Sequence, residues 1–172
     1  MVNDINKYAA KNLLPLAYPV YTTIPSSDDD WCFRALSRDD SRRELSYMRV
    51  KDGKAECTNG RILFTVPTDR ADGFYKPDEA TAFNLISFPD TSRIMVDYKN
   101  WQSLSISNQD AEYTQLNNGA TVSNKYLMAI TDGIYADWEI SFHETDKYTF
   151  INLRHKSHPR AAIIMPCKIT WK

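Results

Sequence analysis

Cysteine is scarce in this chain of 172 residues. Cys32, Cys57 and Cys167 are odd in number and far apart, and no C-x-x-C pair occurs. That argues against a disulfide framework and for a reducing compartment, so a cytoplasmic location is expected. Long apolar runs are lacking too. None approaches the ~20 residues a membrane-spanning helix needs. Leu13, Leu14 and Leu16 follow a polar start in a run too broken for a secretory leader. Nor does one sign of charge dominate. The formal net charge of -1 excludes a generally basic nucleic-acid coat, but leaves room for a local basic face. Glycine is sparse, 5 residues against 10 Tyr and 7 Phe, a balance that favours packed strands over disorder. No G-x-S-x-G, G-x-x-x-x-G-K-S/T or H-E-x-x-H motif occurs, so no residue pattern supports an enzyme.

What is present suits one domain with a real core, since 42% of the residues are hydrophobic. Residues 1–17 read as an arm, and residues 18–172 as a single domain with an enlarged middle over about 68–120. A strand is expected over 18–24. Ser26, Ser27 and the Asp28-Asp29-Asp30 run then signal a helix start, predicting a helix over 31–43. Asp52-Gly53 and Asn59-Gly60 punctuate alternating segments over 45–50, 54–58 and 61–66, which predicts a three-strand antiparallel meander. In the middle, a strand at 71–75, a helix over 77–88 and strands over 93–98 and 103–107 are expected. A second helix is expected over 122–131, with Tyr126, Leu127 and Ile130 buried and Asp132-Gly133 ending it. Strands over 138–142, 148–153 and 161–169 close the chain. Pro166 places the last at an edge or bends it, because proline cannot donate to a ladder. The order helix then meander occurs twice, so the expected fold class is α+β, with antiparallel sheet and two helices on one face.

Three groups could carry chemistry. His155-x-x-His158 could approach a metal, but Arg154, Lys156 and Arg160 surround it, so a solvated loop is expected. The Asp28–Asp30 run could hold a hard cation, although helix capping explains it more simply. No metal or cofactor is therefore expected. Arg34, Arg38 and Arg42 recur at spacing four and, with Arg43, could present up to four charges to a phosphate backbone. The alternative is a solvated face paired with Asp39, Asp40 and Glu44.

Three segments together resemble the bacterial DNA sliding clamp, the beta subunit of DNA polymerase III. They are Glu56-Cys57-Thr58-Asn59-Gly60-Arg61-Ile62-Leu63 after a hairpin, Ser123-Asn124-Lys125-Tyr126-Leu127 opening a helix, and Ile163-Ile164-Met165-Pro166-Cys167-Lys168-Ile169 near the end. The resemblance covers about 18–66 and 120–169. It implies a DNA-clamp-like domain, several of which form a ring with helices lining a DNA channel. Arg34, Arg38, Arg42, Arg43 and Lys125 would then face duplex DNA without reading its sequence. Thr58, Gly60, Arg61, Leu63, Met165 and Pro166 are the counterparts of a pocket that captures short peptides from polymerases and other replication proteins. Asn59 stands where clamps carry an acidic residue, and Arg61-Ile62 where they carry His-Arg. The clamp pocket also joins loops of two domains. A ring takes six such domains, so one domain per chain implies a homo-oligomer or an open arrangement. The other reading is a stand-alone interaction module of phage or mobile-element type that does not encircle DNA.

Overall fold

A computed structural model describes residues 27–38, 40–77, 88–92, 94, 102–144 and 149–168. The arm over 1–17, the strand over 18–24 and nearly all of the expected elements at 77–88 and 93–98 lie outside the described residues.

The first helix, α1, spans Asp28–Phe33. Ser27 caps it: its hydroxyl accepts from the Asp30 N–H at 3.0 Å, and the Asp30 carboxylate accepts from the Ser27 N–H at 3.3 Å. This reciprocal pair satisfies two donors that a helix start leaves open, and the three aspartates suit its positive end. Trp31, Cys32 and Phe33 are all buried. The helix then stops, well short of the expected end at residue 43. A 3-10 segment over Asp40–Ser46 follows, broken by non-helical angles at Arg42, φ -124 and ψ 56. The reason lies in the sequence. Between Leu36 and Leu45 no residue is apolar, so a continued helix would have nothing to pack. Ser and Asp there also compete for backbone hydrogen bonds. The loop closes on itself instead, with the Ser37 N–H donating to the Leu45 carbonyl at 2.9 Å.

The expected meander is formed by β1 (Met48–Lys51), β2 (Lys54–Thr58) and β3 (Ile62–Pro67), all antiparallel. Asp52 and Gly53 both take positive φ, 52 and 73, as a tight hairpin turn demands. The Asn59-Gly60 turn is built differently. Only Gly60 has positive φ, and the Asn59 side-chain oxygen accepts from the N–H groups of Arg61 and Ile62 at 2.9 and 3.1 Å. β4 (Gly73–Tyr75) pairs with β1.

The expected strand at 103–107 is divided. β5 (Gln102–Ser103) and β6 (Ile106–Gln109) belong to different sheets, and the chain crosses between them at residues 104–105. β7 (Tyr113–Leu116) and β8 (Thr121–Ser123) lead into α2 (Asn124–Thr131). Asp132 ends α2 in the left-handed region, φ 52. β9 (Trp138–Glu144), β10 (Thr149–His155) and β11 (Ala161–Ile164) form the second meander.

Among the described residues the large sheet runs β4-β1-β2-β3-β11-β10-β9-β5, and a small one runs β6-β7-β8. Outward from the β3–β11 seam, the two meanders have the same order, so the repeated helix–meander sequence becomes a two-fold-like sheet. β11 therefore lies inside the sheet rather than at an edge. Pro166 sits beyond the strand, where the chain bends: the Met165 N–H donates to Arg61 and the Cys167 N–H donates to Thr121, at 2.9 and 2.7 Å. The bend ties the large sheet to the small one, because Thr121 begins β8.

One core cluster takes residues from both helices and both sheets. Trp31 is fully buried at its centre, stacked on Phe64 at 4.3 Å and Trp138 at 5.8 Å. Its indole N–H donates to the Ile130 carbonyl of α2 at 2.9 Å. The two helices thus meet on one face, as expected.

Candidate nucleic-acid and partner surface

The turn between β2 and β3 is locked from within. The Thr58 hydroxyl donates to the Ile62 carbonyl at 2.6 Å and accepts from the Gly60 N–H at 3.0 Å. Gly60 has φ +87, and a Cβ built on it would lie 2.5 Å from an Arg42 guanidinium nitrogen. The bare glycine is what lets Arg42 lie against the turn. Tyr126 of α2 comes to the same place. Burial pushes its phenol up from the usual value, while the nearby Arg61 cation and a hydrogen bond with Asn59 pull the other way. The Lys125 ammonium sits 4.9 Å from the Tyr126 ring centroid. Met165, 36% exposed, is tied to Arg61 through its backbone.

Residues expected in two separate roles therefore share one surface. Arg42, from the DNA group, lies against Gly60, and Met165 is tied to Arg61, these last three from the pocket group, while Lys125 reaches this region through the Tyr126 ring. Pro166 follows, half-buried, at the bend. Thr58 and Leu63 are buried, 6% and 4% exposed, so they support the turn from beneath. Leu63 joins Phe150 and Ile163 in a small apolar cluster. The sequence pattern places Tyr126 only in the buried stripe. Its neighbour Lys125 was the signal that one edge of that stripe reaches the surface.

The arginine stripe does not form, because no continuous helix carries it. Arg34 is 12% exposed in its side chain and bonds Asp132 at 2.5 Å and the Ala129 carbonyl at 3.3 Å. It joins the end of α1 to the carbonyl end of α2, where a cation is favoured. Arg38 is exposed in the loop, and Arg43 is exposed in the 3-10 segment. Arg42 occupies the kink and lies 3.9 Å from Glu44.

The other candidates have structural partners. Asp28 accepts from Arg160 at 2.7 Å and Asp29 from Arg70 at 2.6 Å. His155 lies edge-on to Trp138, and its Nδ1 accepts from the N–H groups of Ser157 and His158, each at 3.1 Å. Among the described residues no three His, Cys, Asp or Glu side chains group as metal ligands would. All three thiols are unpaired, Cys32 and Cys57 in the core, where burial raises the Cys57 thiol well above its usual value. Sequence reasoning missed one network. Arg49 and Glu56, opposite each other on β1 and β2, form an ion pair that the Thr91 hydroxyl completes, accepting from Arg49 at 2.7 Å and donating to Glu56 at 3.0 Å. The Arg49 guanidinium also lies over the Phe88 ring, so the pair tethers the 88–92 segment to the sheet.

The architecture, antiparallel α+β with two helices meeting on one face, is that of a DNA-clamp-like domain. Two solved structures of DNA polymerase III beta subunits share it. The one from Pseudomonas aeruginosa has a TM-score of 0.53 at 12% identity, covering 91% of this chain and 70% of that one. The one from Thermotoga maritima has a TM-score of 0.51 at 10% identity, covering 90% and 69%. At such identity the likeness is one of fold. No protein-family model and no curated protein matches the chain. Among the described residues no helix is long and apolar enough to cross a membrane.

Proposed function

We propose that the chain is a sliding-clamp-like accessory protein of DNA replication that works by binding rather than by chemistry. The observation that carries this reading is that Arg42 lies against the Gly60 turn next to Arg61, with Lys125 over the Tyr126 ring that adjoins it and Met165 and Pro166 beside it, in a clamp-like fold. An exposed methionine next to a rigid proline offers an apolar seat for a short replication-protein peptide, and the three cations suit acidic residues flanking it. The same cations, with Arg38 and Arg43, would meet the phosphates of duplex DNA without reading bases. Arg34 contributes through the helix pair it holds. One such domain cannot surround a duplex, so encirclement requires copies to associate.

The test is fluorescence anisotropy with a closed or end-blocked duplex across a salt series, alongside light scattering on the eluting protein. Binding should be indifferent to sequence. A variant with Arg42→Ala, Arg61→Ala and Lys125→Ala should flatten the log–log salt slope by up to about 2.7, at about 0.9 for each phosphate no longer neutralised. A monomer that ignores the end-blocked duplex at low salt, and also ignores polymerase-derived peptides, overturns the proposal.

A further inference from the structure

A cleft of about 300 Å³ lies at the end of β3 and β11 opposite the Gly60 turn. Its rim carries Lys54, Arg154, Arg160, His155 and His158, and among the described residues that line it none is acidic. Pro67 and Ala161 supply an apolar part of the wall. An anion seated in this concave, partly apolar wall would face several basic side chains at once.

Two of the lining side chains, Arg160 and His155, are held in place. The Arg160 guanidinium is anchored by Asp28 at 2.7 Å and lies 5.5 Å from the Trp31 ring centroid. His155 Nδ1 is committed to two backbone N–H groups, so the neutral ring carries its proton on Nε2, as a donor. Arg154 stands opposite Glu139 in the ladder, which offsets part of its charge. Asp28 and Asp137 are the acidic groups near His155, and its imidazole is nonetheless held below its usual value by burial, His158 and Arg160. Loss of side-chain freedom is a main cost of binding a small anion, and these two anchors meet part of it in advance.

We propose that this cleft binds a phosphate group, supplied by a free nucleotide or by a nucleic-acid strand. It is separate from the Gly60 surface and does not depend on the replication reading. The cleft is large enough to seat one phosphate and part of what it is attached to.

The full chain is titrated with inorganic phosphate, with adenosine monophosphate and with a short oligonucleotide, each matched for ionic strength by chloride, while the His155 and His158 imidazole resonances are followed. Saturable shifts below about 10 mM in at least one phosphate arm, absent with chloride, are expected, with the depressed His155 pKa rising on binding. The arm that saturates at the lowest concentration names the source. A Lys54→Ala, Arg154→Ala variant should weaken binding at least about tenfold, and far-UV circular dichroism should show it folded, since both side chains are exposed. The triple variant at Arg42, Arg61 and Lys125 should bind phosphate normally. No saturation in any arm, equal shifts with chloride, or unchanged binding in the Lys54/Arg154 variant overturns the proposal.

Discussion

Replacing Trp31 tests the packing on which the helix pair depends. The side chain is fully buried and stacks on Phe64 at 4.3 Å and Trp138 at 5.8 Å. Truncation to alanine removes a large buried side chain, a change that costs about 3–5 kcal/mol in well-packed cores. It also leaves the Ile130 carbonyl without the indole N–H that reaches it at 2.9 Å. An orphaned buried acceptor adds about 1–3 kcal/mol. These terms overlap, and about 5 kcal/mol is a fair total, which is the lower end of the whole stability of a domain. Trp31→Phe keeps a stacked ring and loses the hydrogen bond and some volume, so it should cost about 2–3 kcal/mol. At about 2–4 °C per kcal/mol for a chain this long, Tm should fall by roughly 4–12 °C. Urea unfolding followed by far-UV circular dichroism reads both variants without relying on the fluorophore being replaced. A Trp31→Ala protein within about 1 kcal/mol of the parent would refute the central position given to this residue.

Arg34→Ala and Asp132→Ala should each destabilise, and a double-mutant cycle should give a coupling of about 0.5 kcal/mol, small because exposed ion pairs are screened; the Asp132 side chain is 57% exposed. Coupling near zero would mean that Arg34 acts through contacts other than Asp132, the Ala129 carbonyl among them. Gly60→Ala should cost about 1–2 kcal/mol in chemical denaturation, from left-handed strain at φ +87, and should displace the Arg42 guanidinium. An unchanged midpoint would show that the turn relaxes without cost. His155 should make stability fall in mild acid. Its native pKa is depressed, so the unfolded chain takes up the proton first, and stability present above about pH 6.5 is lost as pH drops through the native value. His155→Asn should flatten that limb in urea unfolding at a series of pH values, and an unaltered profile would assign it to other groups.

Local chemistry was legible wherever it was self-sufficient. Ser27 with Asp30, Asp52-Gly53, and Asp132-Gly133 each act through neighbouring backbone alone, and the structure places a cap, a hairpin turn and a helix end at them. Alternation gave both meanders, because burial on one face imposes period two. The antiparallel α+β character followed from these elements and their order. Helix length was not legible. The spacing-four arginines fit a helical stripe on paper, but a helix persists only where its apolar face has something to pack on, and that ends at Leu36. The place of β11 was equally hidden, since its neighbours β3 and β10 are set by the seam between two meanders far apart in sequence. The candidate surface depends on that same seam and on the helix packing. Arg42, Gly60, Lys125 and Met165 belong to four segments, and no local rule relates them. Met165 comes to the Gly60 turn because β3 pairs with β11, and the helix that carries Lys125 is placed by Trp31, which draws α1 and α2 together over the sheets. Long-range pairing is decided by the burial of the whole core, which only the tertiary structure contains.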